Sequence, residues 1–183
     1  MESIVDQALS TGREEVSLSS FAFLFSELVQ YHLRRVSDTS ELERKLEDAG
    51  AAVGARIIEL LAYREKQNQR ETRLSGILTF IQRSVWKCLF GKPADALEVY
   101  DEDEFVISDR EVLVSRFISV PKDFQGLNCA SFVAGVVKGC LESARFEATV
   151  SAYDTPTDGR QLARTNILVK FSNETLERDR ELG

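Results

Sequence analysis

The chain is poor in the residues that most catalytic chemistry requires. It has one histidine, His32, among 183 residues, and three cysteines, Cys88, Cys129 and Cys140. A Ser–His or Cys–His centre would have to use that single imidazole, which sits inside an apolar helical stretch where packing is the expected role. Common zinc sites draw on several Cys and His at short spacing, and the scattered cysteines do not supply them. Their odd number, in apolar stretches that read as helix, fits buried free thiols in a reducing compartment rather than a disulfide framework. Cys129 stands nearest a helix start, where a thiol pKa can fall, but apolar burial opposes that shift. Glycine-rich nucleotide fingerprints are missing. Phe90-Gly91-Lys92-Pro93 ends like a phosphate loop without its upstream glycine, and Pro93 stops Lys92 from opening a helix, so the tetrapeptide reads as a helix stop. No apolar run approaches the ~18 residues of a membrane span, and residues 1–15 carry acids without a signal-peptide core. A cytosolic location is therefore expected, and the sequon at Asn173 reads as chance. Positive charge is scarce too: 23 Lys and Arg stand against 30 Asp and Glu. The net charge of -7 disfavours nucleic acid and anionic lipid as partners, since both are polyanions.

What is present is material for a core: 43% of residues are hydrophobic, in a length typical of one domain. Residues 1–16 read as a loose arm. The first helix should start at a cap near Ser17 or Ser19 and run to about Val36. Its apolar positions (Leu18, Phe21, Leu24, Phe25, Leu28, Val29, Tyr31, Leu33, Val36) cover about 200° of the helical wheel, where a one-sided helix needs about 100°. Such a helix must bury two faces. Phe23 falls on the polar side with Glu27 and Gln30. The second helix should begin near Thr39 or Ser40, with Ser40 and Glu43 in capping-box spacing. Leu42, Leu46, Ala49, Val53, Ile57 and Leu60 form its stripe, and Gly50, Ala51, Ala52, Gly54, Ala55 and Ala62 permit close approach by another backbone.

The charged stretch 63–73, with Arg64, Lys66, Arg70 and Arg73, reads as a solvated face, with contact to an acidic partner surface as the alternative. A third helix follows, with Leu74, Ile77, Leu78, Ile81, Val85, Cys88 and Leu89 on its core side and a stop at Gly91. Strands are expected at 97–100 and 105–108 around an acidic turn, and the apolar run 112–120 fits either a strand or a short helix. A fourth helix at 127–143 carries Ser131, Gly135 and Gly139 on one flat face. A hairpin at 146–153 and 165–171, turned by Pro156 and Gly159, precedes the charged tail 173–183.

Three segments carry a family likeness: RETRLSGILTFIQRSVWKCLFGKPADALE (70–98), FISVPKDFQGLNCASFVAG (117–135) and FEATVSAY (146–153). Together, in this order and spacing, they resemble the small subunits of the TRAPP vesicle-tethering complex, most strongly the subunit-five branch. The likeness extends over about residues 16–171. It implies an α+β fold, with about four helices packed on one side of an antiparallel sheet of about four strands, over a domain at 17–172. It also implies a non-catalytic scaffold with no cofactor, whose first two helices pair with a paralogous small subunit as a heterodimer within a multi-subunit rod. The rod tethers vesicles in endoplasmic reticulum to Golgi transport and acts as exchange factor for a Rab-type GTPase. This chain would reach the GTPase, and contact endoplasmic reticulum and Golgi membranes peripherally, only through the assembly.

The partner interface is expected at Phe21, Leu24, Phe25, Leu28 and Tyr31 of the first helix, joined by Ile58 and Leu61 of the second. A paralogous branch is acylated at a cysteine whose position falls at about 65–70 here. No cysteine lies there, so acylation is not carried over. The alternative readings are a hydrophobic-ligand-binding module of related fold and, more remotely, a cysteine enzyme using Cys129 and His32.

Overall fold

The structure, a computed structural model, describes residues 17–64, 71–118, 124, 126–155 and 164–181. Its helices are α1 (Leu18–Leu33), α2 (Thr39–Arg64), α3 (Leu74–Phe80), α4 (Trp86–Phe90), α5 (Ser131–Ser143) and α6 (Asn173–Glu181). Strands β1 (Ala96–Val99), β2 (Glu104–Asp109), β3 (Ala148–Thr155) and β4 (Arg164–Phe171) form one antiparallel sheet in the order β1-β2-β4-β3. Helix α5 packs against β3 and β4, and α2 packs against α5, with α1 beyond it. This is the α+β architecture expected from the sequence.

Helix α2 is capped earlier than the Ser40–Glu43 spacing predicts. Asp38 Oδ1 accepts the Glu41 N–H at 2.7 Å, and Glu41 Oε2 accepts the Ser37 N–H at 3.1 Å. Side-chain oxygens thus satisfy N–H groups that the first helical turn leaves unpaired. Glu43 is freed for a long-range role and accepts the Asn128 N–H at 2.7 Å, which ties α2 to the turn before α5.

The buried stripe of α2 is Leu42, Leu46, Gly50, Gly54 and Leu61. It is rotated from the expected one, leaving Ala49, Val53 and Ile57 half-buried and Leu60 exposed. The glycines decide the rotation. Gly50 and Gly54 lie against the carbonyls of Phe132 and Val136, while Gly135 and Gly139 lie against those of Glu47 and Ala51. Four residues without side chains let two backbones touch, which aligned Ala and Val side chains would prevent. The flat face expected on the helix at 127–143 is therefore its contact with α2. The Cys140 thiol donates to the Gly54 carbonyl at 3.3 Å, and Lys138 pairs with Glu47 at 2.6 Å beside the seam.

Helix α3 passes through a π-helical turn (Ile81–Val85) into α4. A π turn holds an extra residue, so positions beyond it rotate by about 100° against a regular helix. Val85 faces the core as expected, the shift brings Trp86 there too, and Cys88, expected on that side, is exposed. The helix ends as predicted at Gly91, whose φ of 79° is the left-handed conformation suited to glycine. Just beyond it, the buried Asp109 accepts Trp86 Nε1–H at 2.8 Å and Lys92 Nζ–H at 2.9 Å, fastening the end of α4 to β2.

The apolar run expected at 112–120 is neither strand nor helix over its described part. Val112 and Val114 are buried while the backbone turns, Ser115 N–H bonding the Val112 carbonyl at 3.1 Å. Residues 119–120 and the expected turn residues Pro156 and Gly159 lie outside the described residues. The charged tail, over 173–181, is the docked helix α6. Thr175 is buried and accepts the Glu147 N–H, and Asp179 Oδ1 accepts the first N–H of α3, from Leu74, at 2.9 Å.

Candidate partner interface

Helix α1 is incompletely covered. Of its 16 residues only Phe25 and Val29 are buried, one turn apart on a single narrow line. Phe25 meets the Phe132 ring of α5 edge-on at 5.3 Å and stacks on Phe21 at 6.0 Å. The two lines of apolar residues read from the sequence are thus one inward line and one without cover. Leu24, at 72% exposure, and Tyr31 lie on the uncovered flank, with Leu28 half-buried between them. Arg35 closes the flank at its C-terminal end: its guanidinium lies 3.6 Å from the Tyr31 ring centroid and donates to the Tyr31 carbonyl at 2.8 Å.

The seven residues expected at the interface therefore separate. Leu24 and Tyr31 are exposed, and Phe21, Leu28 and Ile58 are half-buried. Phe25 and Leu61 are corrected: both belong to the chain's own core. Phe25 is aimed at α5, and Leu61 lies two turns beyond Gly54 on the buried line of α2. Four further apolar side chains of α1 and α2 outside the expected set are exposed, Leu18 among them. Phe23 is 76% exposed and Tyr63 84%, with Leu60 also exposed. The available signal was the placing of Phe23, a large aromatic among polar neighbours.

The structure offers little for covalent chemistry. Desolvation pushes the Cys129 thiol up to about 11, helped by the Glu43 carboxylate, and pushes Cys140 up to about 12. Neither is a thiolate at neutral pH, and the thiolate is the nucleophile. His32 is half-buried with its ring edge-on to Tyr31 at 5.2 Å. Among the described residues there is no cluster of His, Cys, Asp or Glu that could hold a metal, and no helix long and apolar enough to cross a membrane. Of the basic stretch, Arg73 pairs with Asp179 at 3.2 Å, while Lys66 and Arg70, with the aligned acylation position at 65–70, lie outside the described residues.

An α+β domain whose outer helix keeps an apolar flank uncovered is the kind of domain that assembles with another chain. The chain belongs to the transport protein particle (TRAPP) component family, whose profile matches residues 21–172. It is 52% identical over 178 residues to trafficking protein particle complex subunit 5 of Dictyostelium discoideum, spanning 96% of both chains. It is 44% identical to the human subunit 5 over 98% of this chain and 93% of the relative. Among solved structures, its fold matches a subunit 3 from Naegleria fowleri that is covalently bound to palmitic acid. The TM-score is 0.72 at 18% identity, over 85% of this chain and 95% of that one.

Proposed function

We propose that the chain is a scaffold subunit of the TRAPP complex, the assembly that tethers vesicles in endoplasmic reticulum to Golgi transport and acts as a Rab guanine nucleotide exchange factor. It contributes surface rather than chemistry, and pairs with a paralogous small subunit through α1 and α2. The observation that carries this reading is the uncovered flank of α1, Leu24 and Tyr31 beside half-buried Leu28. Large contiguous apolar patches are unusual on monomers and mark interaction surfaces. The family membership supports another TRAPP subunit as the chain that covers it.

The test is co-expression with a paralogous small subunit, followed by light scattering. A one-to-one heterodimer is expected, and Leu24→Arg should abolish it. Burying a leucine side chain is worth about 1.5–3 kcal/mol, and most of Leu24 is still available for a partner. An arginine there also leaves an unpaired charge in a dry interface, so association should weaken by at least about 3 kcal/mol. Leu24 is a cleaner site than Leu28, whose half-burial within the chain mixes folding with association. Intact pairing in the Leu24→Arg chain would refute the interface, and a well-behaved lone monomer at micromolar concentration would count against the scaffold reading.

A further inference from the structure

A second uncovered surface lies on the sheet. Strand β1 is the end of the β1-β2-β4-β3 order, so among the described residues only one of its edges is paired. The register runs Ala96↔Ser108, Leu97↔Ile107, Glu98↔Val106 and Val99↔Phe105. The next pair, Tyr100 and Glu104, is bonded, with Tyr100 N–H donating to the Glu104 carbonyl at 2.8 Å. Bonded and non-bonded pairs alternate in an antiparallel ladder. Glu98 and Ala96 therefore spend their N–H and C=O groups on β2, while those of Leu97 and Val99 point away from the sheet. Beside this free backbone, Val99 is 72% exposed and Tyr100 77% exposed.

The charge around the edge is negative. Glu98 projects from the opposite sheet face to Leu97 and Val99, and Asp101, Glu102, Asp103 and Glu104 follow in the turn. Lys170 pairs with Asp103 and Glu104, and Arg180 with Glu102. The carboxylates of Glu98 and Asp101 have no cationic partner among the described residues. A second copy of this chain docking edge to edge would bring like-charged Glu98 side chains and acidic turns together, which opposes pairing.

The geometry points to β1 as a docking edge for an extended, basic segment of another protein, added to the sheet as a further strand. The Leu97 and Val99 backbone supplies the hydrogen bonds, as in recognition by β-strand addition. Alternate residues of the incoming strand fall on alternate faces, so its apolar side chains lie beside Leu97 and Val99. Its Lys or Arg side chains lie beside Glu98 and the acidic turn. This surface shares no residue with the helical interface and does not depend on it.

The test uses the full chain and fluorescence polarisation with two labelled peptides of equal length and charge, one alternating valine and arginine and one in which proline replaces the valines and so removes their N–H groups. The alternating peptide should bind and the interrupted one should not. Val99→Pro removes an outward N–H without touching the β2 ladder and should abolish binding. Glu98→Lys should weaken binding by about tenfold through charge reversal at an exposed pair. Leu24→Arg should leave it unchanged, so failure of the helical interface and failure of this edge are read separately. Undiminished binding in the Val99→Pro chain, equal binding of both peptides, or no saturable binding by about 1 mM would each overturn the proposal. So would concentration-dependent self-association that Val99→Pro suppresses, since the occupant would then be a second copy.

Discussion

Replacing Gly135 by alanine is the sharpest test of the packing that holds α2 against α5. A Cβ built at Gly135 stands 2.7 Å from the carbonyl carbon of Glu47 and 2.8 Å from its Cα, with the carbonyl oxygen closer still. The obstacle is backbone, which cannot rotate aside, and Gly139 repeats the contact one turn along against Ala51. The whole helix must move. Overpacking typically costs about 1–3 kcal/mol, and the helix-propensity gain of alanine over glycine returns only about 1 kcal/mol. A rigid obstacle places the cost at or above the upper end, so a net loss of about 2 kcal/mol is the minimum expected. For a chain of this size that is a melting temperature lower by about 4–8 °C, read by circular dichroism. Gly76→Ala is the matched control. The nearest atom there is the Glu71 carboxylate, the far end of a flexible side chain, so the same methyl should be neutral or mildly stabilising. A Gly135→Ala chain melting within about 2 °C of the parent would refute the close-contact seam.

The remaining predictions concern groups that titrate. Iodoacetamide at about pH 8 should label exposed Cys88 well before Cys129, whose thiol is pushed up to about 11, and comparable rates by mass spectrometry would remove burial as the cause. The Asp95 carboxyl is held below its ordinary value, first by the N–H of Arg110 and then by Lys92. Its contribution is present above the unfolded value and is lost as pH falls through the folded one. Between about pH 5 and pH 3, Asp95→Asn should therefore lose less of its urea midpoint than the parent, and equal losses would contradict this sign.

Elements marked by a local chemical cause were legible in the sequence. Gly91 followed by Pro93 can only end a helix, and Gly91 adopts the left-handed conformation that such an end uses. The alternation from Ala148 to Ala152 fixes a strand with one inner face, and Val150 is buried where that period places it. Misreadings arose where a decision depended on something distant. Asp38 rather than Ser40 caps α2, and Glu43, the expected partner of Ser40, instead accepts the N–H of Asn128, 85 positions away. Cys88 left the core face because the π turn shifts the helical phase, which no apolar period reveals. Val112 and Val114 are buried by their surroundings without belonging to a regular element, so their run looked alike as strand or helix.

The interface shows the same limit in a sharper form. A wide apolar arc on α1 implies two burial environments, but the arc is continuous, and nothing within it marks where one environment ends. The mark lies on other elements. Phe132 of α5 meets Phe25 and makes that side the inner one, and the absence of any described side chain burying Leu24 makes the other flank the outer one. Gly50 and Gly54 turn the face of α2 that carries Leu61 inward, and Leu61 is buried within the chain itself. An apolar residue is read as core or interface only once its neighbours are placed, since transfer from water is equally favourable against either.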